Sequence, residues 1–250
     1  FIVCLGACSN DMDDTPSFED KEVSRAALVE RTIVLTEPGT LQAKVEAAMG
    51  DEDVSTLQKL TLSGPFTGVD VQYWKTSLTN LIEFDLTNAE PKGVDGKNTY
   101  VDSYGNEVWL NENSVSQGMF SYMTKLEKLS FPVCATWVGW AACEGCTSLI
   151  EVLIPESVTS FDSGIFTDCK ALKTVLLPSR ITSIGSNFFG GCTSLESIEI
   201  PNNITDIYWG AFQDCKSLKE ISIPDAVTNI DGGVFRNCTS LEKIKWPSNL

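Results

Sequence analysis

Nine cysteines and no histidine set the chemistry available to this chain. Cysteine recurs at 146, 169, 192, 215 and 238, always 23 residues apart, and Cys143 and Cys146 form a Cys-x-x-Cys pair. Thiols in such a row could pair as disulfides or hold a metal, and neighbouring turns of a repeat would bring them within disulfide reach. Five equivalent positions cannot pair off, however, and the Cys-x-x-Cys has neither a second pair nor a histidine to complete a zinc site. Each recurrent cysteine sits beside a core leucine, so the expectation is a row of buried free thiols with no metal and no cofactor. A Cys134–Cys143 bond is the lesser alternative. The missing histidine also excludes Ser-His-Asp and Cys-His nucleophiles, His-Glu-x-x-His zinc sites and histidine pH switches. Catalysis by carboxylates alone survives that filter, but nothing specific in the sequence supports it. The chain is not expected to be an enzyme.

The elements that position these residues are read from the repeat itself. CTSLIEVLIPESVTSFDSGIFTD from Cys146 is followed by CKALKTVLLPSRITSIGSNFFGG, CTSLESIEIPNNITDIYWGAFQD and CKSLKEISIPDAVTNIDGGVFRN, then by the partial CTSLEKIKWPSNL. A fixed short period without gaps predicts a solenoid in which each repeat is one coil stacked on its neighbours. Counting from the cysteine, leucine at position 4 and the apolar residues at 7 (Val152, Val175, Ile198, Ile221, Ile244) and 9 (Ile154, Leu177, Ile200, Ile223, Trp246) point inward. Positions 6 and 8 then point out, and proline at position 10 ends the strand because it cannot donate to a ladder. Apolar residues at 13 and 16 predict a second, convex strand. Phe166, Phe189, Phe212 and Phe235 fill the core before the next cysteine.

The same pattern extends N-terminally in degenerate form. Leu57–Leu62 and Leu81–Leu86 fit it 24 residues apart, and Leu126–Phe131 follows after an insertion of about one coil in 87–117. Eight coils are expected, with strands near 57–62, 81–86, 126–131, 149–154, 172–177, 195–200, 218–223 and 241–246. Before them, 32–49 reads as a short strand, a Pro-Gly turn and a helix. Thr40 is its expected N-cap, Leu41, Val45 and Ala48 its apolar face, and Gly50 its stop. The fold class is therefore a mainly β solenoid of 23-residue repeats, with parallel strands, short convex strands, single-turn helices and an N-terminal α/β cap. Its segments are 1–8, a polar acidic tether at 9–26, a cap with degenerate repeats at 27–122, and regular repeats at 123–250.

Binding candidates are residues that the core does not need. Position 5 (Ile150, Lys173, Glu196, Lys219, Glu242) predicts a Lys/Glu ladder, and Leu153 and Leu176 at position 8 form an apolar patch on the outward face. Trp137, Trp140, Tyr208 and Trp209 fall between the convex strand and the phenylalanine turn, where exposed aromatics can stack on sugars or anchor proteins. Three coils separate the two pairs, so a shared pocket is not expected. The 87–117 insertion adds Tyr100, Tyr104 and Trp109, with Asp95, Asn98, Asp102, Asn106 and Glu107 in a spacing that does not match an EF-hand. It is expected to be a solvated loop. The formal charge of −16 argues against nucleic acid and anionic lipid as partners.

Two resemblances follow from these residues. Phe1–Cys8 (FIVCLGAC), with Leu5-Gly6-Ala7-Cys8 and then Ser-Asn-Asp-Met-Asp-Asp, resembles the lipobox and surface-export signal of Bacteroides-group lipoproteins. The start at Phe1 fits a signal peptide whose front is missing. It implies lipidation at Cys8 and an outer-membrane, surface-exposed location, with membrane contact only through the lipid anchor. No run of 18 apolar residues is present to span a bilayer. The LxxIxIPxxVTxIxxxAFxxC pattern over 123–250 resembles the BspA-type leucine-rich repeat, and TLQKLTLSGPFTGVDV resembles the cap that precedes such arrays. That resemblance implies non-catalytic adhesion through host or bacterial surface proteins. The alternative is a glycan-binding module of a polysaccharide-uptake system, with the tryptophans as contacts. Leu250 falls at position 13 of a coil, so the last core face is expected to be covered by further repeats or another cap.

Overall fold

The computed structural model describes residues 28–93 and 98–248; the Cys8 motif, the 9–26 tether and Asp95 lie outside the described residues. Alternating apolar residues build a concave parallel sheet in the order Glu30–Val34, Lys59–Phe66, Glu83–Pro91, Lys128–Ser130 and Glu151–Leu153. Leu60, Phe84, Leu129 and Val152 stand in one register row and are all buried. The sheet thus begins one strand before Leu57, where the repeat pattern was first legible.

Beyond Leu153 the concave pairing lapses, which corrects two of the expected strands. Among the described residues, 172–177 and 195–200 form no strand, although Val175, Leu177, Ile198 and Ile200 remain buried and Glu196 N–H still reaches the Lys173 carbonyl at 2.9 Å. Pairing resumes between Glu220–Ser222 and Lys243–Lys245. The convex strands also fall into two groups: Ser114–Val115, Trp137–Val138 and Ser160–Phe161, then Ser183–Ile184, Asp206–Ile207 and Asn229–Ile230. The break coincides with an edge-to-face contact of Phe161 with Phe188, 5.1 Å between centroids.

Three columns run through the stack. Phe166, Phe189, Phe212 and Phe235 stack near-parallel at 5.5–5.7 Å. The thiols form the second column: Cys146, Cys169, Cys192, Cys215 and Cys238 each donate to a carbonyl 26 residues earlier, at 3.0–3.2 Å. They are free and, Cys238 apart, fully buried, as expected. Cys134 is free as well and lies 3.7 Å from the Ala89 carbonyl, so the alternative Cys134–Cys143 bond is not formed. The third column is conformational. Position 19 (Gly118, Ala141, Gly164, Asn187, Gly210, Gly233) and position 23 (Tyr122, Gly145, Asp168, Gly191, Asp214, Asn237) all have positive φ. Glycine, Asn and Asp tolerate that region, which explains their recurrence there. The described phenylalanine segments are runs of turns.

The N-terminal end of the core is closed by two helices. The first, α1 (Leu41–Met49), buries Leu41, Val45 and Met49; Ala48 is exposed, because an i, i+4, i+8 row faces the sheet. Thr40 precedes the helix but makes no side-chain cap; its hydroxyl donates to the Glu37 carbonyl at 2.6 Å. The cap comes from Asp70 of a helix the repeat pattern did not reveal, α2 (Gly68–Ser77). Asp70 is fully buried and accepts from Leu41 N (2.8 Å), Gly39 N (2.7 Å) and Thr67 N (2.8 Å), so one carboxylate caps both helices. Gly50 ends α1 as expected. On α2, Trp74 packs against Phe66, Phe84 and Phe120 at 5.2–6.0 Å and welds the cap to the array.

The insertion is more ordered than a solvated loop. Thr99–Val101 and Glu107–Trp109 form an antiparallel hairpin laid on α2, with Val101 N–H bonded to Gln72 at 2.7 Å. The trailing part of the insertion, Ser114–Val115, already pairs with Trp137–Val138 and so belongs to the stack. At the other end Trp246, expected inward, is exposed, and Cys238, Leu241 and Ile244 are only half-buried in the last described coil.

Candidate functional site

Two surfaces gather the residues singled out above. On the concave face the ion-pair ladder is real but lies at position 6. Glu30, Lys59, Glu83, Lys128 and Glu151 stand directly opposite one another on the five paired strands, with N–O distances of 3.3, 3.4, 3.9 and 3.9 Å. At position 5, among the described residues, only Lys173 and Glu196 approach, at 3.6 Å; Lys219 and Glu242 form no ion pair although the strands beside them are paired. Exposed pairs of this kind contribute little each, so the ladder fixes register more than it stabilises. Beside its last rung, Ile150, Leu153 and Leu176 are exposed, Leu176 by 75%. The carboxylates of Glu156 and Glu199 line the same groove as Leu176, about 420 Å³ in volume.

The second surface lies on the convex edge and reverses an expectation. Trp140 and Tyr208, three coils apart, line one shallow trough of about 330 Å³ floored by Phe161, Asp162, Ser163 and Ser183. Trp140 is held from behind by Tyr104, 5.2 Å between centroids, and Tyr104 donates to Glu144 at 2.5 Å while crossing Tyr122 edge-on at 6.4 Å. Trp137 donates its indole N–H to Asp162 at 3.2 Å and shares a second depression with Trp109. Trp209 lies over Gly233, away from the trough. Tyr100 is buried, its hydroxyl bonded to the Gln117 carbonyl at 2.5 Å, and is therefore a structural residue and not a contact. Asp102 is equally occupied. Burial pushes its carboxyl up, but bonds from Asn106, Gln117 and Tyr104 more than offset this and leave it below the ordinary value.

Strain concentrates at this same cluster. Ala141 and Tyr122 are the members of the two positive-φ rows that are neither Gly, Asn nor Asp. Ala141→Gly should therefore raise stability by about 1 kcal/mol, the cost of holding a Cβ in that region. A urea midpoint equal to or below that of the wild type would contradict this.

A Ser–Lys pair escaped the sequence reading. Lys75 on α2 is half-buried, its ammonium donating to the Gly118 carbonyl at 2.6 Å and to Ser121 Oγ at 3.2 Å, and the partial burial lowers it to about 8. Ser121 is itself buried and within bonding distance of the Gly118 carbonyl (2.8 Å) and Ser103 Oγ (2.6 Å), so its hydroxyl is committed to structure. Among the described residues no group of three Cys, Asp or Glu is placed to hold a metal.

The repeat geometry matches known proteins. A family model described as BspA type leucine rich repeat region matches residues 107–210 and 163–250, in six copies. The chain belongs to the BspA-type leucine-rich repeat family. The crystal structure of the leucine-rich repeat protein TpLRR from T. pallidum is similar at 25% identity, over 67% of this chain and 71% of that one, with a TM-score of 0.54. A leucine-rich cell surface protein from Faecalibacterium prausnitzii is 23% identical over 76% of this chain, with a TM-score of 0.48. A leucine-rich repeat protein from Bacteroides ovatus is 27% identical over 57%, with a TM-score of 0.45. The chain spans 54% and 43% of the length of these last two. No curated protein matches it. BspA-type repeats are generally binding scaffolds of surface proteins without catalytic activity, and the start of the family match at 107 agrees with the second hairpin strand leading straight into the stack.

Proposed function

We propose that the chain is a non-catalytic cell-surface protein that binds a protein of a host or neighbouring cell through its concave face, anchored by a lipid on Cys8. The observation that carries the reading is the exposed Ile150/Leu153/Leu176 patch at the place where the concave ladder ends. Elsewhere, Val34 on the first strand apart, the outward positions of that face are polar or charged, and exposed apolar side chains grouped on such a face are the usual mark of a protein contact. Acidic residues at its rim favour a partner with a basic border. Because Leu176 touches solvent, Leu176→Glu should fold normally. Surface plasmon resonance against purified host-cell surface proteins should show binding by the wild type and at least tenfold weaker binding by this variant. Equal binding by both would sink the concave-face assignment. Mass spectrometry of the membrane-extracted protein should find Cys8 acylated, and protease treatment of whole cells should release the array; an unmodified Cys8 would remove the anchor.

A further inference from the structure

The geometry points to a carbohydrate site on the convex edge, separate from the concave face: the trough between Trp140 and Tyr208 takes a short neutral oligosaccharide along the solenoid axis. Its walls are two rings, each about two-fifths exposed, that face one shared space. Three coil spacings set them about 14 Å apart. That is room for a short run of sugar rings whose apolar faces stack on the two end walls.

Trp140 is a prepared wall. Tyr104 backs it, Glu144 fixes Tyr104 and Tyr122, and two residues in strained backbone, Ala141 and Tyr122, maintain the arrangement. Strain of this kind persists where the surrounding structure enforces it, and it clusters at binding sites.

The floor is polar in the way a sugar requires. Ser163 and Ser183 contribute hydroxyls, and Asp162 uses one carboxylate oxygen on Trp137. The trough also straddles the break between the two convex sheets. In intact junctions the position-17 N–H bonds to the position-16 carbonyl of the coil before, as Tyr208 does to Ile184 and Asp231 to Ile207, both at 2.9 Å. Among the described residues, Gly185 N–H and the Phe161 carbonyl do not make that bond. The break thus leaves a main-chain donor and acceptor without their regular partners beside the hydroxyls. Gly185 comes so close to the preceding coil that a Cβ there would lie 2.8 Å from the Asp162 carbonyl, which keeps the floor open between the walls.

Charge decides among sugars. No basic residue lines the trough, its one formal charge is Asp162, and the molecule carries −16 overall. Sulfated, sialylated and uronate chains are repelled, whereas neutral hydroxyls can donate to the carboxylate.

The test is titration of the folded protein with maltoheptaose, cellohexaose, xylohexaose, mannohexaose and chitohexaose, with heparin and a sialylated oligosaccharide as anionic comparators, read by tryptophan emission and calorimetry. At least one neutral probe should bind. Trp140→Ala and Tyr208→Ala should each weaken it roughly tenfold, Trp140→Phe should retain most of the affinity, and Leu176→Glu should leave it unchanged. Failure of every neutral probe at millimolar concentration, equal binding by both alanine variants, or preference for heparin or the sialylated probe would each overturn the assignment. Should Trp140→Ala lose its far-UV spectrum, Tyr208→Ala and Trp140→Phe carry the test.

Discussion

Raising the pH from 7.5 to 10 is expected to collapse the stability of the array. Burial pushes the thiols of Cys143, Cys146, Cys169, Cys192 and Cys215 up from an ordinary value of 9.0, Cys146 to about 12. The folded chain therefore keeps protons that the unfolded chain releases above pH 9, and stability falls as pH rises through that window. Each such thiol costs about 1.4 kcal/mol per pH unit above 9. Lys75 acts in the opposite sense. Its folded value of about 8 means that the unfolded chain holds the extra proton between 8 and 10.5, so it offsets about one thiol over that range. The net expectation is a loss of about 5 kcal/mol at pH 10, comparable with the whole stability of many domains. Urea midpoints under reducing conditions would show it, and Cys192→Ala should reduce the pH slope by one proton. A midpoint independent of pH between 7.5 and 10 would show that the thiols titrate normally and are not sealed.

The second large effect is expected at Asp70. Asp70→Ala removes the acceptor of three main-chain N–H groups, those of Gly39, Leu41 and Thr67, and of the Thr67 hydroxyl. Buried donors left unpaired cost about 1–3 kcal/mol each, less where water can enter, so a loss of about 3–5 kcal/mol is expected. Asp70→Asn keeps one acceptor oxygen and should recover part of it. A change of less than 1 kcal/mol in the alanine variant would mean that water replaces the carboxylate.

What the sequence disclosed and what it hid follow from the same physics. Each regular coil repeats the demands of its neighbours, so the thiol column, the phenylalanine column and the inward positions 4 and 7 were all legible from the 23-residue period. The position-6 ladder was not, because its rungs Glu30, Lys59, Glu83, Lys128 and Glu151 are unevenly spaced in the chain and meet only when the degenerate coils are stacked. Thr67-Gly-Val-Asp70 carried a readable capping signal for α2, with Asp70 folding back onto the Thr67 N–H. Its longer reach to Gly39 and Leu41 could not be read from the chain. The trough was missed for a different reason. Coil count alone sets Trp140 and Tyr208 apart, whereas the small residues of the two coils between them, Ser163, Ser183 and Gly185, leave both rings in view of one space.

The direction of the hydrogen bonds between coils has an electrical consequence. Convex-strand N–H groups such as Thr205, Tyr208 and Thr228 donate toward the N-terminal neighbour, as do the thiols, while turn N–H groups such as Gly164, Phe166 and Asp168 donate toward the C-terminal one. Peptide dipoles therefore oppose one another at the junctions where both sets of bonds are made. An α-helix of similar length would add its dipoles head to tail; this stack sets many of its own against one another, so lengthening it by further coils would build less axial field than a helix does. The potential met by an approaching molecule is then set chiefly by side chains, and with 34 acidic against 18 basic residues it is negative.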